Sequence, residues 1–520
     1  MKYLLCFLGG IFFALGFPSA LAESLFITPL IGVLLLFYFL EQSPLKTRLM
    51  LVLLFCLGLN LCGYYWLPKT LQIFGELPFL ISHIISLLFA LIILPQYIAY
   101  ALLIPYAKKF TLFLQEKVKI NSPSFPIFVQ AFILILLENF IPQQFPSHLG
   151  HPWIGLGEHL GLAPFLGIPV FSFVSYIFIF ALIHYLRRKK HSLLSYAVIF
   201  IFIVLNPLLV KSPSQETKNF HVRISQANVG NYLKLESEKG DLDSVEKVMT
   251  LFKNLAAEPY LLGKQKADIV IWSETSFPYS LNSNNLKSNI MTTPNIFKEI
   301  MNTSGAEFLT GGYDQKSNQK DWFEREYNAV FFFNRSLGLS DVYHKHILIP
   351  FGETLPFGPL NSYLSRFLQN IAFFSKGEKF PLFQTQDNFT FITPVCYELL
   401  YADFIRNYLM ANDRPADIII NLTNDSWYEE PEPQQHLFLT RWRALEYSIP
   451  VIRSTNTGIT TLIMPNGKLG PTLGINKREN LDMIVKISKR GRTFYEQYGF
   501  WSMWVIFFFL CLITKFNFWK

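Results

Sequence analysis

Thr393-Pro394-Val395-Cys396-Tyr397-Glu398 ends an apolar run at 389–394, and helical spacing follows over about 399–410. A short apolar run bounded by a turn reads as a strand, and the segment behind it reads as a helix. The same alternation extends in both directions. Strands are predicted at 221–227, 269–272, 308–313, 329–333, 418–421, 451–454, 460–464 and 483–487, with helices at 242–257 and 435–447. Strands alternating with helices indicate an α/β layered domain, here spanning 212–497, with no internal repeat and no low-complexity linker.

Outside that segment the chain is far more apolar. Spanning a bilayer takes about 20 apolar residues, and runs of that order lie at 3–20, 25–41, 49–66, 79–105, 126–142, 163–186, 192–210 and 498–514. The expected organisation is a seven-span membrane domain at 1–211, the α/β domain at 212–497, and an eighth span with a short tail at 498–520. Basic residues cluster in alternate connections: Lys46 and Arg48; Lys108, Lys109, Lys117 and Lys119; Arg187 to Lys190; Lys515 and Lys520. Positive charge concentrates on the cytoplasmic side, so 212–497 is expected outside the inner membrane, in the periplasm. Lys2, an apolar core and Ala20-Leu21-Ala22 also fit a cleavable signal peptide. Glu138 falls inside the fifth run, where a charge is expensive. It reads either as a hydrogen-bonded structural residue or as a substrate contact.

Composition agrees with this division. The 520 residues are 51% hydrophobic and only 16% charged, and 52 are Phe; a soluble protein carries roughly 25% charge. A disordered chain, a collagen-like fibre and a purely soluble enzyme are excluded. The net charge of +8 reads as membrane topology, with no nucleic acid as partner. Five cysteines exclude a disulfide-built scaffold.

Three motifs carry chemistry. Ile271-Trp272-Ser273-Glu274-Thr275 delivers a carboxylate at the end of a strand. Tyr343-His344-Lys345-His346-Ile347-Leu348-Ile349-Pro350-Phe351-Gly352-Glu353 sets a Lys and a Glu around an apolar turn. His344 and His346 share a strand face and would supply two metal ligands, but no third ligand shows suitable spacing. In the third motif, Cys396 is the one cysteine outside the apolar runs, either a buried filler or a nucleophile. A helix following it would stabilise a thiolate and offer N–H groups to an oxyanion.

Glu274, Lys345 and Cys396, in that order at strand ends, resemble the catalytic set of the nitrilase (carbon–nitrogen hydrolase) superfamily. Asn424-Asp425-Ser426-Trp427 and Arg453-Ser454-Thr455-Asn456-Thr457-Gly458 agree with it. The whole plan, with many spans, this domain and a final span, resembles the apolipoprotein N-acyltransferase family. The resemblance implies a nitrilase-like αββα sandwich. It also implies transfer of a fatty acyl chain from a phospholipid, typically phosphatidylethanolamine, to the α-amino group of a diacylglyceryl-cysteine lipoprotein. Glu274 then corresponds to the general base, Lys345 to the catalytic lysine and Cys396 to the nucleophile that carries the thioester. Glu353, Tyr397 and Glu398 match further positions needed for activity. Two positions differ from the family pattern: Ile347 stands where a His is usual, and Leu235 lies near a usual Trp. No metal or other cofactor is implied, and the protein is expected to act as a monomer.

Between Glu353 and Lys379 the apolar residues Phe357, Leu360, Leu364, Phe367, Leu368, Ile371 and Phe374 recur near helical spacing. This arm is expected either to enter the outer leaflet and gate the acyl chain, with Phe357 and Phe367 in contact with lipid, or to pack as core. Arg443 and Glu446 are expected to form a structural pair. Two other functions remain at this stage: a membrane-anchored amidase using the same three residues, and a transporter with a periplasmic domain.

Overall fold

The computed structural model describes the chain except residues 20, 74–76, 121, 211–216, 263–265, 317–324, 351, 367–371 and 516–520. Two compact units emerge. One is helical and holds 1–212, 428–448 and 492–520; the other is α/β and holds 213–427 and 449–491. The helix Glu432–Tyr447, which the sequence places inside the 212–497 domain, therefore belongs to the helical unit.

Two helices of the helical unit, Leu45–Gly63 and Ala163–Arg188, are long and apolar enough to cross a membrane. Six others are apolar but shorter: Lys2–Ala14, Thr28–Leu40, Phe79–Phe89, Ser124–Phe140, Leu193–Leu208 and Trp501–Lys515. The predicted run 79–105 is not one helix. It divides into Phe79–Phe89 and Pro95–Val118, because proline disfavours helical geometry in the residue before it and Leu94 is non-helical at φ −131°. Helix Lys2–Ala14 packs closely on Leu45–Gly63: a Cβ on Gly10 would lie 1.9 Å from the Phe55 carbonyl oxygen. Small residues at helix crossings bring backbones together in this way. Elsewhere the helices present bare apolar side chains, among them Phe200, Ile203, Val505 and Phe508, each more than half exposed.

Two buried carboxylates inside this unit are paired. Glu138 is buried and accepts hydrogen bonds from the Tyr176 hydroxyl at 2.6 Å and the Leu149 N–H at 2.9 Å. Arg443 pairs with Glu446 at 2.7 Å, and Glu446 also accepts from the Ile168 N–H.

The α/β unit has strands β1 (Thr217–Gln226), β2 (Ile269–Trp272), β3 (Ser280–Leu281), β4 (Glu307–Gln315), β5 (Glu326–Phe333), β6 (Leu339–His344), β7 (Phe383–Gln384), β8 (Thr390–Ile392), β9 (Ile418–Thr423), β10 (Val451–Thr455), β11 (Thr460–Ile463), β12 (Leu469–Leu473) and β13 (Glu479–Ser488). They form two mixed sheets. The first runs β13-β1-β2-β4-β5-β6 with β3 beside β4, and the second runs β12-β11-β10-β9-β8-β7. Phe332 of β5 meets Phe391 of β8, and Thr455 and Thr460 of the second sheet bond the Gln226 side chain of the first. Helices Leu242–Ala257 and Asn295–Ser304 cover the outer face of the first sheet, with Phe252 stacked on Trp272 and Phe297 against Phe308. The strands absent from the sequence reading are β3, β6, β7 and β12. Two have only two residues, and β6 and β12 are partly exposed, with little apolar pattern to reveal them.

In the first sheet β1, β2 and β4 are parallel, and in the second β8, β9 and β10 are parallel. Their carboxyl ends carry the loops at 227–231, 273–276, 393–396, 424–427 and 456–458. Ligand sites of open α/β sheets form at such ends.

Candidate active site

Glu274 lies two residues beyond β2, Lys345 directly follows β6, and Cys396 lies four residues beyond β8. The fold brings them together. Lys345 is fully buried, and its Nζ donates to Glu274 Oε1 at 3.1 Å and to Glu353 Oε1 at 2.8 Å. Asn328, near the start of β5, repeats the bridge: its Nδ2 donates to Glu274 Oε1 at 2.8 Å and to Glu353 Oε1 at 2.9 Å. The remaining oxygens accept from backbone, Glu274 Oε2 from the Asn424 N–H at 2.8 Å and Glu353 Oε2 from the Ile349 N–H at 2.9 Å. Two buried carboxylates thus share one ammonium and one amide, which is how buried charge becomes tolerable.

Close approach of β4 helps to hold the Glu274 loop. A Cβ on Gly311 would lie 2.5 Å from Thr275 N and 2.7 Å from Glu274 Cα, so only glycine fits there. Thr275 itself takes a left-handed backbone at φ +46°.

Cys396 also has a left-handed backbone, φ +53°, a conformation that costs a non-glycine residue about 1–3 kcal/mol and gathers at functional sites. Two side chains enforce it. Asn421 Nδ2 donates to the carbonyls of Pro394 at 2.9 Å and Cys396 at 3.1 Å. Glu398 Oε2 accepts from the Val395 N–H at 2.7 Å. The other Glu398 oxygen accepts from the N–H groups of His346 and Ile347, and the Tyr343 hydroxyl donates to Oε2 at 2.8 Å. Glu398 therefore ties the cysteine turn to the lysine loop. Tyr397 spans the same two segments: its hydroxyl donates to the Leu348 carbonyl, and its ring lies 5.9 Å from Lys345 Nζ.

Burial pushes the Cys396 thiol well above its ordinary value, and the charge of Glu274 adds to this while Lys345 opposes it. For Lys345, burial works against the charge, but Glu274 and Glu353 override it and hold the ammonium well above its usual range. The resting thiol is neutral beside a charged lysine and a carboxylate. This corrects the expectation of a helix-stabilised thiolate: residues Cys396–Leu400 form a 3-10 turn, and the α-helix begins only at Ala402. Burial also raises the Glu398 carboxyl to about 7, its N–H donors offsetting part of the rise.

Other sequence candidates separate. His344 Nε2 donates to Asp314 Oδ2 at 2.7 Å, while the His346 ring stacks on Phe380 at 4.4 Å. The two rings thus serve different partners, and burial lowers His346 to about 4. Leu235 is partly exposed. Phe357 is 47% exposed, beside the turn Gly358–Leu360 and the one-turn helix Asn361–Leu364; Leu360 and Tyr363 are exposed with it. Phe367 lies outside the described residues.

Comparison with known proteins follows the same two-part plan. The profile of the apolipoprotein N-acyltransferase N-terminal domain matches residues 9–183, and that of carbon-nitrogen hydrolase matches 222–486. An apolipoprotein N-acyltransferase of Bdellovibrio bacteriovorus is 30% identical over 86% of this chain and 82% of its own. The chain belongs to the apolipoprotein N-acyltransferase family. A member from Haemophilus ducreyi is 25% identical over 88% of this chain and 86% of its own. An amidase from Nesterenkonia sp. aligns with 54% of this chain and 92% of its own at 16% identity, with a TM-score of 0.35, too low to carry an argument.

In this apolipoprotein N-acyltransferase relative, the site contains groups that the motifs do not announce. Asn328 is the third residue of β5, directly before the apolar run 329–333, and a polar residue at that place is the one signal that could have marked it. The Asn424 N–H and the Tyr343 hydroxyl carry no sequence signal for their contacts, because each depends on which loops the two sheets bring together.

Proposed function

We propose that the protein transfers an acyl chain from a phospholipid to the N-terminal amine of a diacylglyceryl-cysteine lipoprotein, with Cys396 as nucleophile, Glu274 as proton acceptor and Lys345 as oxyanion partner. The observation that carries this reading is the ammonium of Lys345 held between Glu274 and Glu353 beside a neutral thiol on a left-handed turn. Glu274 takes the thiol proton as sulfur attacks the ester carbonyl, and Lys345 with a backbone N–H near Tyr397 meets the oxyanion. One such donor is worth about 3–4 kcal/mol of barrier. The ester C–O bond breaks, Glu274 returns its proton to the departing lysophospholipid alkoxide, and a thioester remains on Cys396. The lipoprotein amine attacks that thioester and gives its proton to Glu274. The C–S bond then breaks, the amide is released, and the thiolate recovers the proton. Glu353 and Asn328 hold Lys345 and Glu274 in register, and Glu398 and Tyr397 keep the cysteine turn against the lysine loop.

Eight crossings of the inner membrane fit the apolar helices, with Phe79–Phe89 and Pro95–Val118 serving together as the fourth. The bare apolar side chains on the helical unit support a lipid environment, and the placement of basic residues supports a periplasmic α/β unit. Phe357, Leu360 and Tyr363 supply apolar surface for an acyl chain at the bilayer.

Incubating the purified protein with phosphatidylethanolamine and a diacylated lipopeptide tests the reading. Mass spectrometry should find a thioester on Cys396 and a third acyl chain on the peptide. Release of free fatty acid with no labelled peptide would instead favour a hydrolase.

A further inference from the structure

Lys234 is a buried cation outside the three motifs. It lies on the helix Asn231–Glu238, which follows β1, and is 8% exposed. Its Nζ donates to the Thr275 carbonyl at 3.0 Å and also bonds the Thr275 hydroxyl. Glu238, one turn along the same helix, lies 3.7 Å from that Nζ, and the Tyr313 hydroxyl donates to Glu238 Oε1 at 2.5 Å. Burial lowers the Lys234 ammonium, while Glu238 and then Glu274 work to retain its charge.

Thr275 is β-branched and sits at φ +46°, directly after Glu274. For such a residue this conformation is an outlier and persists only where the surroundings over-determine it. The Gly311 backbone holds the two ends of the turn, its N–H donating to the Ser273 carbonyl and its carbonyl accepting from the Phe277 N–H, each at 3.2 Å, but neither bond reaches Thr275. Lys234 grips both the carbonyl and the hydroxyl of the strained residue.

We infer that Lys234 is a positioning residue for acyl transfer: by holding Thr275 in its left-handed conformation it aims the Glu274 carboxylate at the Cys396 thiol. The inference rests on the reading of Glu274 and Cys396 given above. It assigns Lys234 no contact with either substrate. Loss of its grip therefore acts on the maximal rate of thioester formation and leaves the phospholipid concentration for half-saturation unchanged.

The test uses the full-length protein in detergent or liposomes with phosphatidylethanolamine, following thioester formation on Cys396 in a single turnover by mass spectrometry. Lys234→Met should lower the maximal rate about 10- to 100-fold, the range of a lost hydrogen bond from a charged group, at unchanged half-saturation. Lys234→Gln, which retains an amide donor and a similar length, should fall between Lys234→Met and the parent. Thr275→Gly, in which the left-handed backbone carries no steric penalty, should restore much of the rate in the Lys234→Met background. Equal rates for parent and Lys234→Gln and Lys234→Met would overturn the inference, as would a Lys234→Met loss that Thr275→Gly leaves unchanged. If Lys234→Met fails to fold, the Lys234→Gln series with and without Thr275→Gly decides alone. A parent protein that forms no thioester would refute the catalytic reading itself, an outcome distinct from either.

Discussion

Two buried glutamates, one in each unit, differ in their partners, and the difference fits the roles proposed for them, structural for Glu138 and reactive for Glu274. Glu138 of the helical unit accepts from a tyrosine hydroxyl and a backbone N–H, both neutral. Glu274 of the α/β unit accepts from an ammonium, an amide and a backbone N–H, and stands next to a thiol that feels its charge. Burial is common to both, so burial identifies neither. A fixed positive partner together with a nucleophile within electrostatic reach is what gives a carboxylate proton-transfer work.

The largest expected effect lies at the thiol and its acceptor. Cys396→Ala should eliminate covalent labelling by acyl donor, and Glu274→Gln should slow thioester formation by about 10²–10⁴-fold, the range of a positioned proton acceptor. Labelling that persists in Cys396→Ala would remove the reactive half of the contrast. Next comes Asn328→Ala, which leaves Lys345 alone between two carboxylates. Loss of hydrogen bonds to charged groups, about 1.5–3 kcal/mol, should slow acylation by roughly 10- to 100-fold, and unaltered kinetics would show that the amide bridge is dispensable.

A smaller effect concerns pH and Glu398. Its carboxyl is raised from 4.5 to about 7 in the folded protein. Between those values the unfolded chain has released the proton and the folded chain has kept it, so stability falls as pH rises through that window. The change is on the order of 3 kcal/mol in full. Urea unfolding of the parent and of Glu398→Gln across pH 4.5–7 should show a steeper decline in the parent, and parallel curves would contradict this. The smallest effect on chemistry is expected at the other glutamate. Glu138→Gln should leave the acylation rate unchanged while destabilising the fold by about 1–3 kcal/mol, the cost of disturbing buried hydrogen bonds. A rate loss like that of Glu274→Gln in a folded Glu138→Gln protein would dissolve the distinction.

Much of the α/β unit is legible in the chain because its central strands are continuous apolar runs. Ile269–Trp272 and Ile418–Thr423 are buried along their whole length, and such strands need no periodicity to be seen. Glu274, Lys345 and Cys396 are legible because each sits at or just beyond a strand end. The helical unit is less so. An apolar run shows that a segment avoids water but not where its helix stops, and Pro95 divides a run that composition alone joins. The helix Glu432–Tyr447 is buried on nearly all sides, so its pattern names no partner.

By itself, the sequence determined the division into apolar and α/β parts, the order of Glu274, Lys345 and Cys396, and the membership of a family whose motifs it carries. Those follow from local composition and spacing, which survive reading one residue after another. The tertiary structure decided that Asn328 and the Asn424 N–H share Glu274 with Lys345, that Cys396 rests as a neutral thiol, and that Lys234 grips Thr275. Each of these depends on burial and on atoms brought within hydrogen-bonding reach from separate strand ends, and neither is written in the order of the residues.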